Sequence, residues 1–174
     1  MQRHLLTALL LCAGGLTASC TRYVPITIEM MEKSNLTAND LKYVQFYVSR
    51  DVAFERKLKP SERDVGHEAG PLGLYVERIL VDEKTPGVAE DIVETPLPND
   101  KRRVLLWISF EAGSRFPFVA EGSGGFNLAS TDRRLVLGDR TYDVSFEGPD
   151  RPLLLVEEDQ GVELRKLKGR KVGR

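Results

Sequence analysis

Residues suited to redox and metal chemistry are scarce in this sequence. Its 174 residues include only two cysteines and two histidines, Cys12, Cys20, His4 and His67. There is also no excess of basic charge: 25 lysines and arginines face 26 acidic residues, which excludes the basic balance typical of nucleic-acid binding. The length suits one domain, and 41% apolar with 29% charged residues is a globular rather than a disordered composition.

The first 20 residues have the pattern of an export signal. A short basic start precedes a mostly apolar stretch from Leu5 to Leu16, and small residues follow. This stretch is shorter than the about 20 apolar residues that a membrane-spanning helix needs. The end of the segment, Leu16-Thr17-Ala18-Ser19-Cys20, resembles the lipobox of bacterial lipoproteins, with the preferred leucine one position early. Ordinary secretion with a nearby cut is the alternative.

The resemblance to the lipobox implies that residues 1–19 are a signal peptide and that Cys20 carries a diacylglycerol thioether with palmitate-type chains. Two or more acyl chains anchor a protein stably. Because Thr21 is not the aspartate of inner-membrane retention and no acidic run follows Cys20, the resemblance implies the outer membrane and its periplasmic face. The covalent lipid on Cys20 is the only cofactor expected, and the mature chain would have no free thiol.

Short segments of alternating apolar and polar residues follow one another along the mature chain. We expect about nine to eleven short strands, with turn residues at intervals near ten residues and no amphipathic helix of three turns. This spacing predicts an all-β fold, an antiparallel β-sandwich with one core, and a closed barrel is the alternative. The predicted organisation is a signal peptide 1–19, a lipidated tether 20–23, one β-sandwich domain 24–168 and a basic tail 169–174.

Two segments near the start of the domain carry more detailed expectations. Alternation from Val24 to Met30 predicts a strand, at a sheet edge because Pro25 cannot donate a backbone hydrogen bond. The apolar residues between Leu74 and Val81 change face, which predicts a β-bulge.

Two later segments have stronger patterns. Val104 to Ile108 is apolar on both faces, which predicts a central strand covered on both sides, with Trp107 in or near the core. The segments 134–137 and 141–146, joined across Gly138-Asp139, predict a β-hairpin.

Two sets of residues are candidates for contact with a ligand, partner or surface. Tyr43 and Tyr47 fall on the polar side of the strand predicted around Val44–Val48, where they could stack on a sugar ring, and cross-strand packing is the alternative. A second set belongs to a run of six basic residues without an acid between positions 165 and 174, and it could contact an anionic surface. Its members are Lys166, Lys168, Arg170 and Lys171.

Catalytic sets are incomplete in this sequence. His67 is the only histidine of the mature chain, whereas a zinc site takes three or four ligands and a serine nucleophile needs a neighbouring base, so we predict no catalytic or metal-binding residue. Acidic pairs such as Glu90-Asp91 and Glu157-Glu158 fit exposed turns. A glycosidase would need two carboxylates about 5 to 10 Å apart, a distance that spacing in sequence does not determine.

These patterns predict a non-catalytic envelope lipoprotein that acts as a structural or accessory subunit. Its expected contacts are the membrane, through the lipid anchor, and an envelope protein, with no nucleic acid. A glycan- or lipid-binding module is the first alternative, and an envelope hydrolase that works through two carboxylates is the second.

Overall fold

The computed structural model describes residues 21–37, 39–62 and 75–158. Within these ranges there is one α-helix, α1, at Ile28–Lys33, and there are 3-10 helices at Asp40–Tyr43 and Pro60–Glu62. The strands are β1 Tyr23–Pro25, β2 Gln45–Val48, β3 Val52–Lys57, β4 Val76–Val81, β5 Pro86–Pro96, β6 Arg102–Glu111, β7 Ser114–Glu121, β8 Asn127–Leu128, β9 Arg134–Leu137, β10 Arg140–Ser145 and β11 Leu154–Glu157.

The eleven described strands form two antiparallel sheets. The larger has seven strands in the order β1-β11-β2-β5-β6-β7-β8, and the smaller has four in the order β4-β3-β10-β9. The rings of Phe54 on β3 and Phe116 on β7 pack with centroids 4.6 Å apart, so the sheets meet through their inner faces. The prediction of an all-β sandwich of nine to eleven short strands is confirmed.

A single hydrophobic core lies between the sheets. Strands of both sheets contribute to it through alternate residues, as expected for sheets with one buried face. The largest fully buried side chains are Phe46, Phe54, Phe116, Phe118, Phe126, Ile26, Ile28, Met31, Leu41, Leu106, Ile108 and Leu128.

The strand predicted from Val24 to Met30 is only half right. β1 is an edge strand, as Pro25 indicated, but it ends there, and the chain turns into α1. Thr27 caps this helix, because its hydroxyl accepts a hydrogen bond from the backbone N–H of Met30 at 3.0 Å. Ile28 and Met31 are both buried, so their spacing is helical and alternation was the wrong period for this segment.

The bulge predicted between Leu74 and Val81 is also wrong for its described part. β4 pairs with β3 over six consecutive residue pairs without a shift in register. The apolar residues change face because Leu80 lies exposed on the outer face, whereas Ile79 faces the core and Val81 is buried. Glu77, on the same face as Ile79, contacts Arg56.

The predicted hairpin is confirmed as β9 and β10. The two strands pair from Arg140–Leu137 to Asp143–Arg134, and Gly138 takes a positive φ of 61° in the turn. A left-handed conformation of this kind is readily adopted by glycine, which explains the turn in that position.

β6 is central to the larger sheet, as predicted, but it is not covered on both sides. Val104, Leu106 and Ile108 are buried on the inner face, whereas Leu105 and Trp107 lie half-buried on the outer face. Trp107 therefore points away from the core that it was expected to join, and it becomes available for surface contacts.

Candidate functional site

The two tyrosines predicted on one strand belong to different elements. Tyr43 ends the 3-10 helix before β2 and is 90% exposed, so its placement on the polar side of a strand is wrong. Tyr47 does lie on β2, on the outer face of the larger sheet, where it is half-buried. Only Tyr47 therefore lies on the strand that was expected to carry both tyrosines.

Tyr47 is occupied by cross-strand contacts. Its ring packs edge-on against Tyr23 of β1, with centroids 4.8 Å apart. Its hydroxyl donates a hydrogen bond of 2.6 Å to Oε1 of Glu157 on β11, and this bond, together with burial, raises the pKa of Tyr47 to about 12. These contacts of Tyr47 on β2 stabilise the packing of the edge strand β1 and of β11 beside it.

We expect Tyr47→Phe to lower the free energy of unfolding by about 1 to 2 kcal/mol at pH 8, because a hydrogen bond to a charged group is lost. The folded state favours the protonated phenol of Tyr47. The stabilisation from its hydrogen bond is therefore complete below the unfolded pKa of about 10, and it disappears as the pH rises towards 12. Denaturant titrations of wild type and variant should therefore converge between pH 10 and 12. Tyr43→Phe is the control, with little effect expected, and a wild-type advantage that persists at pH 12 would contradict this assignment.

The acidic pairs have different environments. Glu157 accepts from Tyr47, and Glu158 pairs with Arg22 at 3.2 Å. Glu90 and Asp91 do not form the exposed turn that was predicted, because they lie within β5 at an irregularity between Ala89 and Asp91. A β-bulge of this kind places both acids near the outer face of the sheet.

Among the residues that the structure describes, an extensive polar cluster surrounds Arg56 on the inner face of the smaller sheet. Nη1 of Arg56 contacts both carboxylate oxygens of Glu62, at 2.9 and 2.8 Å, and its Nε donates to Glu77. Glu77 also accepts from the hydroxyl of Tyr142 at 3.2 Å, and Arg140 lies 3.7 Å from its other oxygen.

The cluster around Arg56 has the character of an ion-pair network. Hydrogen bonds from Arg56 and then from the backbone N–H of Lys59 lower the pKa of Glu62 to about 2. A carboxyl with such a pKa holds no proton to donate near neutral pH, whereas a general acid needs a pKa close to the working pH. Glu62 therefore gives no support to hydrolysis through a general acid at this cluster.

An apolar patch occupies the outer face of the larger sheet. It spans two neighbouring rows across β5, β6 and β7, in which Trp107 lies opposite Asp91 and Pro117, and Leu105 lies opposite Val93 and Val119. Val93 is 44% exposed, Leu105, Trp107 and Val119 are half-buried, and Pro117 is buried. We call this surface, Val93, Leu105, Trp107, Pro117 and Val119, the Trp107 patch.

Paired charges flank the Trp107 patch on both sides along the strands. In one flanking row Nε of Arg103 contacts Glu121 at 2.6 Å. On the other side Arg115 lies with its guanidinium carbon 5.9 Å from the Trp107 ring centroid and its Nε 3.7 Å from Glu90. An apolar centre with a polar rim is the arrangement found in protein–protein interfaces.

Sequence reasoning missed the Trp107 patch. Apolar residues at every position from Val104 to Ile108 were interpreted as burial on both faces. The informative signal lies in β7, where Arg115, Val119 and Glu121 fall on the outer face and show that this face of the sheet is not core.

Two open depressions mark the surface of the described residues. One, of about 480 Å³, is lined by Val119, Glu121, Gly124, Gly125, Asn127 and Arg151. The other, of about 440 Å³, is lined by residues that include Ala53, Leu80, Ser145 and Phe146. Neither depression contains Tyr43 or Tyr47 in its lining.

Several predicted residues lie outside the described ranges. They are Cys20, His67, Lys166, Lys168, Arg170 and Lys171. Among the described residues no group of three or more histidine, cysteine, aspartate and glutamate side chains is placed to hold a metal ion. In the same part of the chain, no helix has the length and apolar character needed to cross a membrane.

The fold and the Trp107 patch define the class of the molecule as an antiparallel β-sandwich with an apolar surface on its larger sheet. Comparison with protein-family models, with curated proteins and with solved structures found no match for the chain.

Proposed function

We propose that this protein is a non-catalytic, lipid-anchored envelope lipoprotein that acts as a structural or accessory subunit, and that it binds its protein partner through the Trp107 patch. The anchor is the lipid on Cys20, at the periplasmic face of the outer membrane. The observation that carries the partner-binding role is the apolar outer surface around the half-buried Trp107, with charged rows on either side.

The start of the sandwich supports anchoring at Cys20. The first strand begins at Tyr23, and Arg22 is already held, because its carbonyl accepts from the backbone N–H of Glu158 at 2.8 Å. Only Thr21 then separates Cys20 from the folded body. An anchor so close to the first strand keeps the domain against the membrane surface, where a membrane-associated partner would meet it.

The size and composition of the Trp107 patch suit the centre of an interface. Two rows on three strands cover roughly 10 Å across the strands by 7 Å along them, at about 4.8 Å between strands. This is smaller than the about 800 Å² per partner of a stable interface, so the patch would form its centre and the charged rows its rim. Tryptophan and arginine are the residue types that most often dominate binding energy at such centres.

The test of partner binding is recovery of a stoichiometric partner from a detergent extract of the native envelope. Wild type should retain a partner that Trp107→Asp loses, because a charge at the apolar centre is desolvated on binding. Val136→Asp is the matched control: Val136 is 61% exposed on the smaller sheet, so the partner should be kept. Absence of any stoichiometric partner, or equal recovery with Trp107→Asp, would refute the proposal.

One observation favours the alternative of a glycan- or lipid-binding module. Tyr43 presents an aromatic ring that is 90% exposed, whereas Tyr47 is engaged with Tyr23 and Glu157. Loss of binding to peptidoglycan or lipid fractions in Tyr43→Ala, with normal binding in Trp107→Asp, would favour that alternative over a protein partner.

A further inference from the structure

We propose that β4, at the edge of the smaller sheet, pairs antiparallel with β4 of a second copy of this chain, with the two-fold axis of the dimer at Ile79. The pairing joins the two smaller sheets into one continuous sheet with four strands from each copy. The inference goes beyond the proposed function and does not depend on it, because the Trp107 patch lies on the larger sheet.

Four of the described strands lie at the ends of the two sheets, and β4 differs from the other three. β1 has three residues and includes Pro25, β8 has two residues and β9 has four. Proteins protect the edges of sheets from further pairing by shortening them or by adding proline, bulges or charges. β4 has six residues, contains no proline and pairs with β3 without a shift in register. It is therefore a long and regular edge that another strand can join.

Alternate residues of β4 direct their backbone groups away from β3. The N–H of Leu58 donates to the carbonyl of Tyr75 at 2.9 Å, so these residues add one hydrogen-bonded pair to the ladder between β3 and β4. Hydrogen-bonded and non-hydrogen-bonded pairs alternate along an antiparallel ladder. Val76, Arg78 and Leu80 therefore fall in non-hydrogen-bonded pairs, and their N–H and C=O groups point to the side of β4 on which no described strand lies.

A hydrogen bond further along the smaller sheet agrees with this alternation. Val144 of β10 lies opposite Phe54 of β3, but its N–H donates to the carbonyl of Arg133, on its other side, at 2.7 Å. The pair of Phe54 and Val144 is therefore not hydrogen-bonded, and the backbone groups of Phe54 point to Ile79 of β4. Ile79 is thus bound to β3, as the bond from Leu58 requires, and its neighbours on β4 face outward.

The side chains of β4 indicate what kind of strand fits beside it. Val76 and Leu80 are 43% and 62% exposed. The charges of Glu77 and Arg78 are both paired with residues of β3, so they do not keep another strand away. Four of the six residues are apolar, and one acid balances one base. A strand that is apolar and has no net charge complements this edge, and β4 of a second copy meets that description.

Charge selects one register for the pairing of two copies. Outward-facing residues must lie opposite each other to form hydrogen bonds, so the two-fold axis passes through a residue. An axis at Arg78 or Glu77 places like charges directly opposite each other, which is destabilising, and an axis at Leu80 pairs only three residues of β4. An axis at Ile79 pairs five residues, with Arg78 opposite Leu80 and Glu77 opposite Val81. The apolar stem of Arg78 then covers Leu80 of the second copy.

The first test is the oligomeric state of the full chain, purified in a mild detergent with micelles in excess over protein. Five residue pairs form a smaller contact than a standard interface, so we expect a monomer–dimer equilibrium with a dissociation constant on the order of 10 μM. Sedimentation over a range of about 1 to 100 μM measures this constant. Wild type that stays monomeric over the whole range would refute the proposal.

Two changes at Leu80 test the register. Leu80→Lys places a lysine opposite Arg78 of the second copy, twice in the symmetric dimer, so the dissociation constant should rise at least about tenfold. Leu80→Glu places a carboxylate opposite the same arginine, and its dimer should be at least as tight as that of wild type. Val136→Lys and Val136→Glu are the matched controls, since Val136 is 61% exposed on β9, at the other edge of the same sheet, and neither should change the constant. Weakening by both changes at Leu80 would overturn the inference.

Hydrogen exchange shows whether β4 itself makes the contact. The amides of Arg78 and Leu80 should exchange quickly in dilute samples and become protected as the dimer forms, whereas the amide of Ile79 should be protected in both. A dimer that leaves Arg78 and Leu80 unprotected would overturn the inference, because it forms through another surface. Protection of both amides in the monomer would also overturn it, because another part of the chain would then cover the edge.

Trp107→Asp separates this inference from the proposed partner binding. The variant should lose the partner and keep the dimer, because its change lies on the larger sheet. Leu80→Lys should keep the partner and lose the dimer. Loss of the dimer in Trp107→Asp would place the contact between copies on the Trp107 patch and overturn the pairing through β4. Thermal melts check that every variant is folded.

Discussion

Phe116→Ala is expected to lower the free energy of unfolding by about 3 to 5 kcal/mol, the range for removing a buried phenylalanine ring. Phe116 is 1% exposed, and its ring packs on Phe54 of the other sheet at 4.6 Å. The loss would combine the transfer of the ring with a cavity between the two sheets. In a domain of this size it corresponds to a fall in melting temperature of roughly 10 °C.

A double-mutant cycle makes the test of the Phe116 contact specific. Phe54→Ala and Phe116→Ala together should be less destabilising than the sum of the two single changes, by about 0.5 to 1.5 kcal/mol, as measured for other aromatic pairs. Val136→Ala, at a residue 61% exposed on the outer face of the smaller sheet, is the control and should change stability by less than about 0.5 kcal/mol. Strict additivity of the two phenylalanine changes would show that the sheets do not meet through these rings.

Arg56→Met should lower the free energy of unfolding by about 2 to 4 kcal/mol, because it removes the partner of two half-buried carboxylates. The side chain of Arg56 is only 10% exposed, and those of Glu62 and Glu77 are 28% exposed. Methionine keeps much of the apolar stem, so the loss measures the unpaired charges rather than a large cavity.

The control for Arg56 lies in the neighbouring residue pair of the same two strands. Arg78 and Glu55 pair at 2.7 Å on the outer face, with side chains 59% and 42% exposed. Arg78→Met should cost no more than about 1 kcal/mol, because exposed ion pairs contribute little. Denaturant unfolding of both variants compares an arginine–glutamate ion pair in two environments. Equal losses of unfolding free energy in Arg56→Met and Arg78→Met would show that Arg56 does not belong to a buried ion-pair network.

Acid should remove the advantage of wild type over Arg56→Met. Hydrogen bonds from Arg56 and then from the backbone N–H of Lys59 lower the pKa of Glu62 from 4.5 to about 2, so the folded state favours the carboxylate. The stabilisation that the ionised Glu62 gives to the folded state is complete above pH 4.5 and is lost as the pH falls towards 2. Unfolding curves of the two proteins should therefore converge over this window. A constant difference down to pH 2 would contradict the assignment of Glu62 as the partner of Arg56.

Local patterns predicted the fold best where one short-range signal acted alone. The hairpin of β9 and β10 follows from Gly138 at a turn that needs a positive φ, together with alternation on both sides. Alternation misled between Val24 and Met30, because Thr27 caps a helix whose buried residues lie three apart. Apolar residues on both faces of β6 led to a wrong prediction for another reason. Their pattern does not show whether other parts of the chain cover the second face.

By itself, the sequence determined an all-β sandwich of short strands and identified Cys20, by its resemblance to a lipobox, as the expected site of lipid attachment. Tertiary structure decided which face of each strand is buried, because burial depends on strands distant in sequence. That is why Trp107 lies outside the core and why Arg56 meets Glu62 and Glu77. The register of β1 against β11 likewise brings Arg22 beside Glu158, and no pattern within either segment could predict this pairing across the whole domain.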